Sequence, residues 1–185
     1  MKCMTRTILA IAVLLVVSGA VFAADMVDNP TYQNWAKYKA GTFVKYKQNA
    51  EVMGNKTESE IVTTLLEVTP EKVVVETSGT MLVAGNKMDM PKTKMDFAAK
   101  MEKVATDPAK TPKIDSKQGE EEITVPAGKI KCKSISAMVK QGESEIQTKT
   151  WTSDDVPGSL VKSETSMEKP VKSVTLMELV EKNIK

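Results

Sequence analysis

From Thr42 onward, apolar and polar side chains alternate with a period of two along most of the chain, the signature of strands with two different faces. The alternation predicts strands over residues 42–53, 58–68 and 73–83, with a bend at Gly79, and a short strand over 87–90. Gly54-Asn55, residues 69–72 and Gly85-Asn86 read as the intervening turns. A second series follows over 121–125, 130–139, 145–152, 160–167 and 171–180, separated by turns at 126–128, 141–142 and 168–170 and by a loop at 153–158.

Two segments switch to helical spacing. Asn29 is a helix cap, Pro30 suits the first helical position and Gly41 the stop, with Tyr32, Trp35 and Ala36 on one face. This helix is expected to plug one end of a sheet with its aromatic residues. After Pro91, residues 94–104 place Phe97, Ala98, Met101 and Val104 at helical intervals. Residues 105–119 are rich in proline and lysine and read as an exposed, mobile loop. The expected fold is mainly β: a strongly curved antiparallel meander, half-barrel or barrel-like, with a short N-terminal helix and a short mid-chain helix.

The first residues set the compartment. Lys2 and Arg6 precede an uncharged apolar run over residues 8–17, and residues 18–23 are small, with Val21 and Ala23 placed as a signal peptidase reads them. That layout is a cleavable secretory signal, ending between Ala23 and Ala24. The run is too short for a spanning helix, which needs about 20 apolar residues. Residues 1–23 are thus a signal peptide and residues 24–185 a single β-rich domain with no transmembrane helix. The domain is expected to be exported.

Removing the signal changes the charge. The chain has 26 basic and 24 acidic side chains; Lys2 and Arg6 leave with the signal and no acid does, so the remainder is formally neutral. Electrostatic attraction to nucleic acid or to anionic lipid is not expected from this net charge. The chain has no histidine, and its only arginine is Arg6. Residues 24–185 therefore lack the usual general base near neutral pH, imidazole metal ligands and the bidentate guanidinium. Histidine triads, zincin sites and arginine-finger phosphoryl transfer are excluded. The expectation is a protein that is not an enzyme and carries no cofactor or metal. Cys132 is the one cysteine left after cleavage, so no internal disulfide forms. It sits in an alternating run and reads as a buried strand residue.

The candidate chemistry is apolar. Met88, Met90, Met95, Phe97 and Met101 would cover the concave face of the sheet, and methionine accommodates varied apolar ligands. The same residues could simply fill a core, or Met88, Met90 and Met95 could hold Cu(I) through their thioethers. Asp154-Asp155 is more simply a solvated turn than a cation site. Asn55-Lys56-Thr57 is a glycosylation sequon that matters only in a eukaryote. Trp151 ends a strand and is expected in the core, and Pro157-Gly158 forms a rigid turn.

Residues 123–128 (ITVPAG), leading into Cys132, and residues 151–162 (WTSDDVPGSLVK) carry a resemblance. The arrangement resembles that of uncharacterised exported bacterial proteins, in which a VPAG turn, a strand and a W-S-x-x-VPGG-x-V-K segment occur in this order. Ser159 stands where a second glycine is common. The architecture is similar to the half-barrel of LolA/LppX-type lipoprotein carriers. The resemblance implies an envelope protein, periplasmic or secreted in a bacterium, that binds a lipid or other apolar molecule in the concave face. The alternative is a structural or protein-interaction module of the envelope with a filled core.

Overall fold

The structure, a computed structural model, describes residues 25–83, 85–103, 114–141 and 144–185. The expected signal segment, its cleavage point and residues 105–113 of the expected loop lie outside them. Among the described residues, no helix is long and apolar enough to cross a membrane.

The helix α1 (Pro30–Trp35) starts as its sequence predicts. Asn29 is extended, and its side-chain oxygen accepts from the Thr31 and Tyr32 N–H groups at 3.0 and 3.4 Å, satisfying donors that the first turn leaves unpaired. It ends sooner than expected, at Ala36 rather than Gly41. Trp35 is buried, and Tyr32, Ala36 and Tyr38 pack against the core. The Tyr32 hydroxyl donates to Thr69 O at 2.8 Å, fixing the helix to the turn before a central strand.

Two meanders make the main sheet. The first is β2 (Phe43–Val52), β3 (Asn55–Val68), β4 (Lys72–Val83) and β5 (Asn86–Ala98). The second is β7 (Ile114–Val125), β8 (Gly128–Gln141), β9 (Ser144–Thr152), β10 (Leu160–Met167) and β11 (Ser173–Asn183). They join where β2 pairs with β11, giving one nine-stranded antiparallel sheet in the order β5-β4-β3-β2-β11-β10-β9-β8-β7. β5 and β7 are its edges, so the ladder is open and not a closed barrel. A short ribbon of β1 (Met26–Asp28) and β6 (Lys100–Glu102) stands apart. The second meander curls: the turn between β7 and β8 donates the Ala127 N–H to Leu179 O of β11. The core gathers at the α1 end, from Val44, Leu65, Val73 and Val75 through Leu179 and Val161 to Val125, Cys132 and Trp151.

The expected mid-chain helix is not there. Residues 94–98 complete β5 and residues 100–102 form β6. The segment KMDFA satisfies both periods, because Met95 and Phe97 also alternate with Lys94 and Asp96. Pairing with Val73 and Val75 of β4 decides the matter, a case of tertiary pairing overriding a short helical pattern. Pro91 does not break the strand either. It lies in β5 where the register with β4 shifts between Thr77 and Gly79, and an edge-strand bulge accepts a residue with no N–H. Residues 114–119, expected in the loop, belong to β7. This edge strand is exposed from Asp115 to Glu122, so its polar composition resembles that of a loop. The expected bend at Gly79 coincides with the same shift: a Cβ there would lie 2.2 Å from Glu60 O, so only glycine lets β3 approach so closely.

Candidate functional site

Residues directly opposite in an antiparallel ladder share a face, so the registers sort every strand residue onto one of two faces. The face of the buried Val73 and Val75 continues through Phe97, Met95, Met90 and Met88 on β5 and Met81 on β4. On β3 it carries Leu65, Thr63, Ile61 and Ser59, and on β2 Val44, Tyr46, Gln48 and Ala50. It proceeds through Thr175, Met177 and Leu179 on β11, Ser163, Thr165 and Met167 on β10, and Ile146, Thr148 and Thr150 on β9. Across these seven strands the one charged side chain at a register-paired position of this face is Lys182, opposite Val44 at the α1 end, beyond the register shift in β11. Ile135, Ala137 and Val139 extend it onto β8, where charge appears only toward the turn, at Lys129, Lys131 and Lys133.

The opposite face is its inverse. Lys45–Glu60 and Lys47–Glu58 bridge β2 to β3 at 3.2 and 3.0 Å. Lys162 reaches Glu164 and Glu178 at 3.0 and 3.1 Å. These hydrogen bonds raise the Lys162 pKa even though partial burial, the largest single influence, pulls it down. A groove of about 1100 Å3 runs across the second meander. Its walls include the register row Lys117, Ser136, Lys149, Glu164 and Leu176, which belongs to this charged face.

Trp151 sits at the α1 end of the charged face, opposite Ser134 and Lys162. Its indole is 5% exposed. The Lys149 and Lys162 ammonium groups stand 4.5 and 5.3 Å from the ring centroid, within cation–π range. Its Nε1–H donates to Glu121 at 2.8 Å, and Lys149 reaches the same carboxylate at 2.9 Å. Hydrogen bonds from Lys149, Ser134 and Trp151 hold the Glu121 carboxyl below the usual range. Glu121, Lys149 and Lys162 were not singled out in the sequence. Lys149-x-Trp151 is a same-face pair visible in one strand, but nothing local brings Glu121 or Lys162 to it.

The residues expected to carry function fall in separate places. Met88, Met90, Met95 and Phe97 line one face of edge strand β5. Phe97 packs on the core, whereas Met88 and Met95 are 50% and 42% exposed. Met101 lies on the separate ribbon, opposite Val27. The motif turn serves the fold. Pro157 is fully buried and Gly158 has φ +78, with the Trp35 ring 3.1 Å from where a Cβ would stand. The Gly158 N–H donates to the Asn34 side chain at 2.6 Å, so this loop receives α1. Ser159, in place of the common glycine, takes φ +65. Burial first, and then the Glu121 charge, push the Cys132 thiol pKa up, which disfavours the nucleophilic thiolate. Among the described residues, no group of three or more aspartate, glutamate or cysteine side chains is placed to hold a metal.

No protein-family model matches the chain, and no curated protein matches it. Two solved structures are similar over 79% of the chain. One is a Bacteroides fragilis protein, provisionally named an exported protein with a YmcC-like fold: TM-score 0.47, 11% identity, 97% of its own length covered. The other is a Parabacteroides distasonis protein, provisionally named a lipoprotein: TM-score 0.44, 14% identity, 96% covered. At these scores the likeness assigns neither a family nor an activity.

Proposed function

We propose that this is an exported, non-catalytic protein of a bacterial envelope that holds a lipid or similar apolar molecule against the uncharged face of its sheet. One observation carries the reading: from β5 through β9, the register-paired positions of one face bear no charge except Lys182, at the α1 end. Burying the hydrophobic core does not require this. The core needs only the α1 end, yet the face stays uncharged out to the exposed Met88. An acyl chain is the ligand such a face favours, since each buried methylene contributes about 0.8 kcal/mol and asks for no polar partner. Flexible Met81, Met88, Met90 and Met95 suit chains of varied shape. The absence of histidine and the raised Cys132 pKa support a binding role over catalysis.

The ligand would lie on an open surface, and the proposal does not use the groove on the charged face. The test is native mass spectrometry with lipid extraction on residues 24–185, purified from a bacterial host after export. A bound lipid that disappears in Met81→Lys is the expected result. A clean apo mass, or a lipid retained in Met81→Lys, overturns the reading. A stoichiometric protein partner with no lipid would favour an interaction module instead.

A further inference from the structure

The hairpin between β2 and β3 turns on Met53-Gly54, with φ of +52 and +83, and Val52 stands opposite Asn55. The turn expected from sequence was Gly54-Asn55, one residue later. Both central residues of such a turn need positive φ, which asparagine and glycine adopt most readily. An L-residue with a bulky side chain is strained there, by about 1–2 kcal/mol. Asn55 is adjacent but does not occupy the position. Met53 does, and it is 73% exposed, so its side chain repays nothing by packing. Local rules broken without a compensating contact point to function.

The surroundings of Met53 have a consistent chemistry. Its N–H donates to Lys172 O at 3.1 Å, which sets the β10–β11 turn beside it. Val52 is 46% exposed, and Val83, opposite Thr57 next to the same hairpin, is also exposed. Lys56, Lys87, Lys169 and Lys172 are exposed on these tips, against Glu51 and Glu168. None of the four lysines is in an ion pair among the described residues. The tips lie at the end of the sheet away from α1, where the exposed part of the uncharged face ends.

We propose that these tips dock on an anionic phospholipid surface, with Met53 and Val52 entering the headgroup layer and the four lysines meeting lipid phosphates. Apolar insertion and basic residues reinforce each other at such a surface, and a lysine near it is worth about fivefold in affinity. The domain as a whole is formally neutral, so this attraction, not expected from its net charge, is local to this end. This inference stands without the ligand reading, because a protein with an empty sheet face could still dock.

Cosedimentation of residues 24–185, a span that contains every described element, with phosphatidylcholine vesicles with and without phosphatidylglycerol tests it. Binding is expected only with phosphatidylglycerol, and it should weaken sharply at about 0.5 M salt. Met53→Asn should weaken binding severalfold while leaving the melting temperature unchanged or higher, because asparagine suits the turn. Lys172→Gln should weaken it about fivefold, and Lys94→Gln, on the charged face away from the tips, should not. No binding to anionic vesicles, undiminished binding by Met53→Asn, or an equal loss in Lys94→Gln would overturn the proposal.

Discussion

The two faces of the sheet share one backbone and divide its chemistry. One face has Lys–Glu pairs crossing strand boundaries, as at Lys47–Glu58 and Lys162–Glu178. The other has valine, leucine, methionine and threonine, with Lys182 at the α1 end the one charge among its register-paired positions from β5 to β9. A solvated face benefits from charge and loses little when one pair is removed. A face left uncharged beyond its core forgoes solubility for something else. The difference shows where stability is held: on the charged face in many small, replaceable terms, and on the uncharged face in packing near α1.

The sharpest way to break this comparison is at the α1 end. Leu65 is fully buried on the uncharged face. Leu65→Ala should lower unfolding stability by about 2–5 kcal/mol in urea titration, since a cavity adds to the lost burial. A loss no larger than that of a surface change would mean that the core does not depend on this face. Gly79→Ala is next. A Cβ 2.2 Å from Glu60 O forces β3 and β4 apart, costing about 1–3 kcal/mol, and hydrogen exchange should quicken along both strands. Glu58→Gln on the charged face should cost no more than about 0.5 kcal/mol, because Lys47 and Glu58 are both about half exposed.

Much of this was legible beforehand, and the failures have physical causes. The strands were readable from Ile130-Lys131-Cys132, where period two shows in a local pattern, and from the β-branched run Val73-Val74-Val75. The N-terminal helix was readable because Asn29 and Pro30 carry its start signals. Residues 94–104 misled because five residues fit either period until β4 supplies a partner. The β2–β3 turn misled because Met53 occupies a position that its chemistry disfavours. The uncharged face as a whole was hidden for a different reason: each strand shows which residues alternate, but which face of β9 continues which face of β5 depends on registers that no single strand encodes. The Trp151 cluster was hidden likewise, since Glu121, Lys149 and Lys162 come from three strands.

That cluster gives the finest test of the charged face. Its terms are individually small, so a pH readout discriminates better than a stability measurement. Lys149, Ser134 and Trp151 all favour the ionised form of Glu121. Its folded pKa is therefore depressed, and the associated stabilisation is present above the unfolded carboxylate value, about 4.3. It is lost only as pH falls through the lower folded value. The Trp151 indole N–H resonance should accordingly stay constant from neutral pH down through the ordinary glutamate range and move only below it. Glu121→Gln keeps an acceptor for the indole and removes the titration, so its resonance should stay flat. A midpoint at or above the ordinary glutamate value would show that the hydrogen bonds do not hold the carboxylate. A Gln variant that still titrates would place the sensitivity outside Glu121, and the charged face would then act as one coupled network instead of separate pairs.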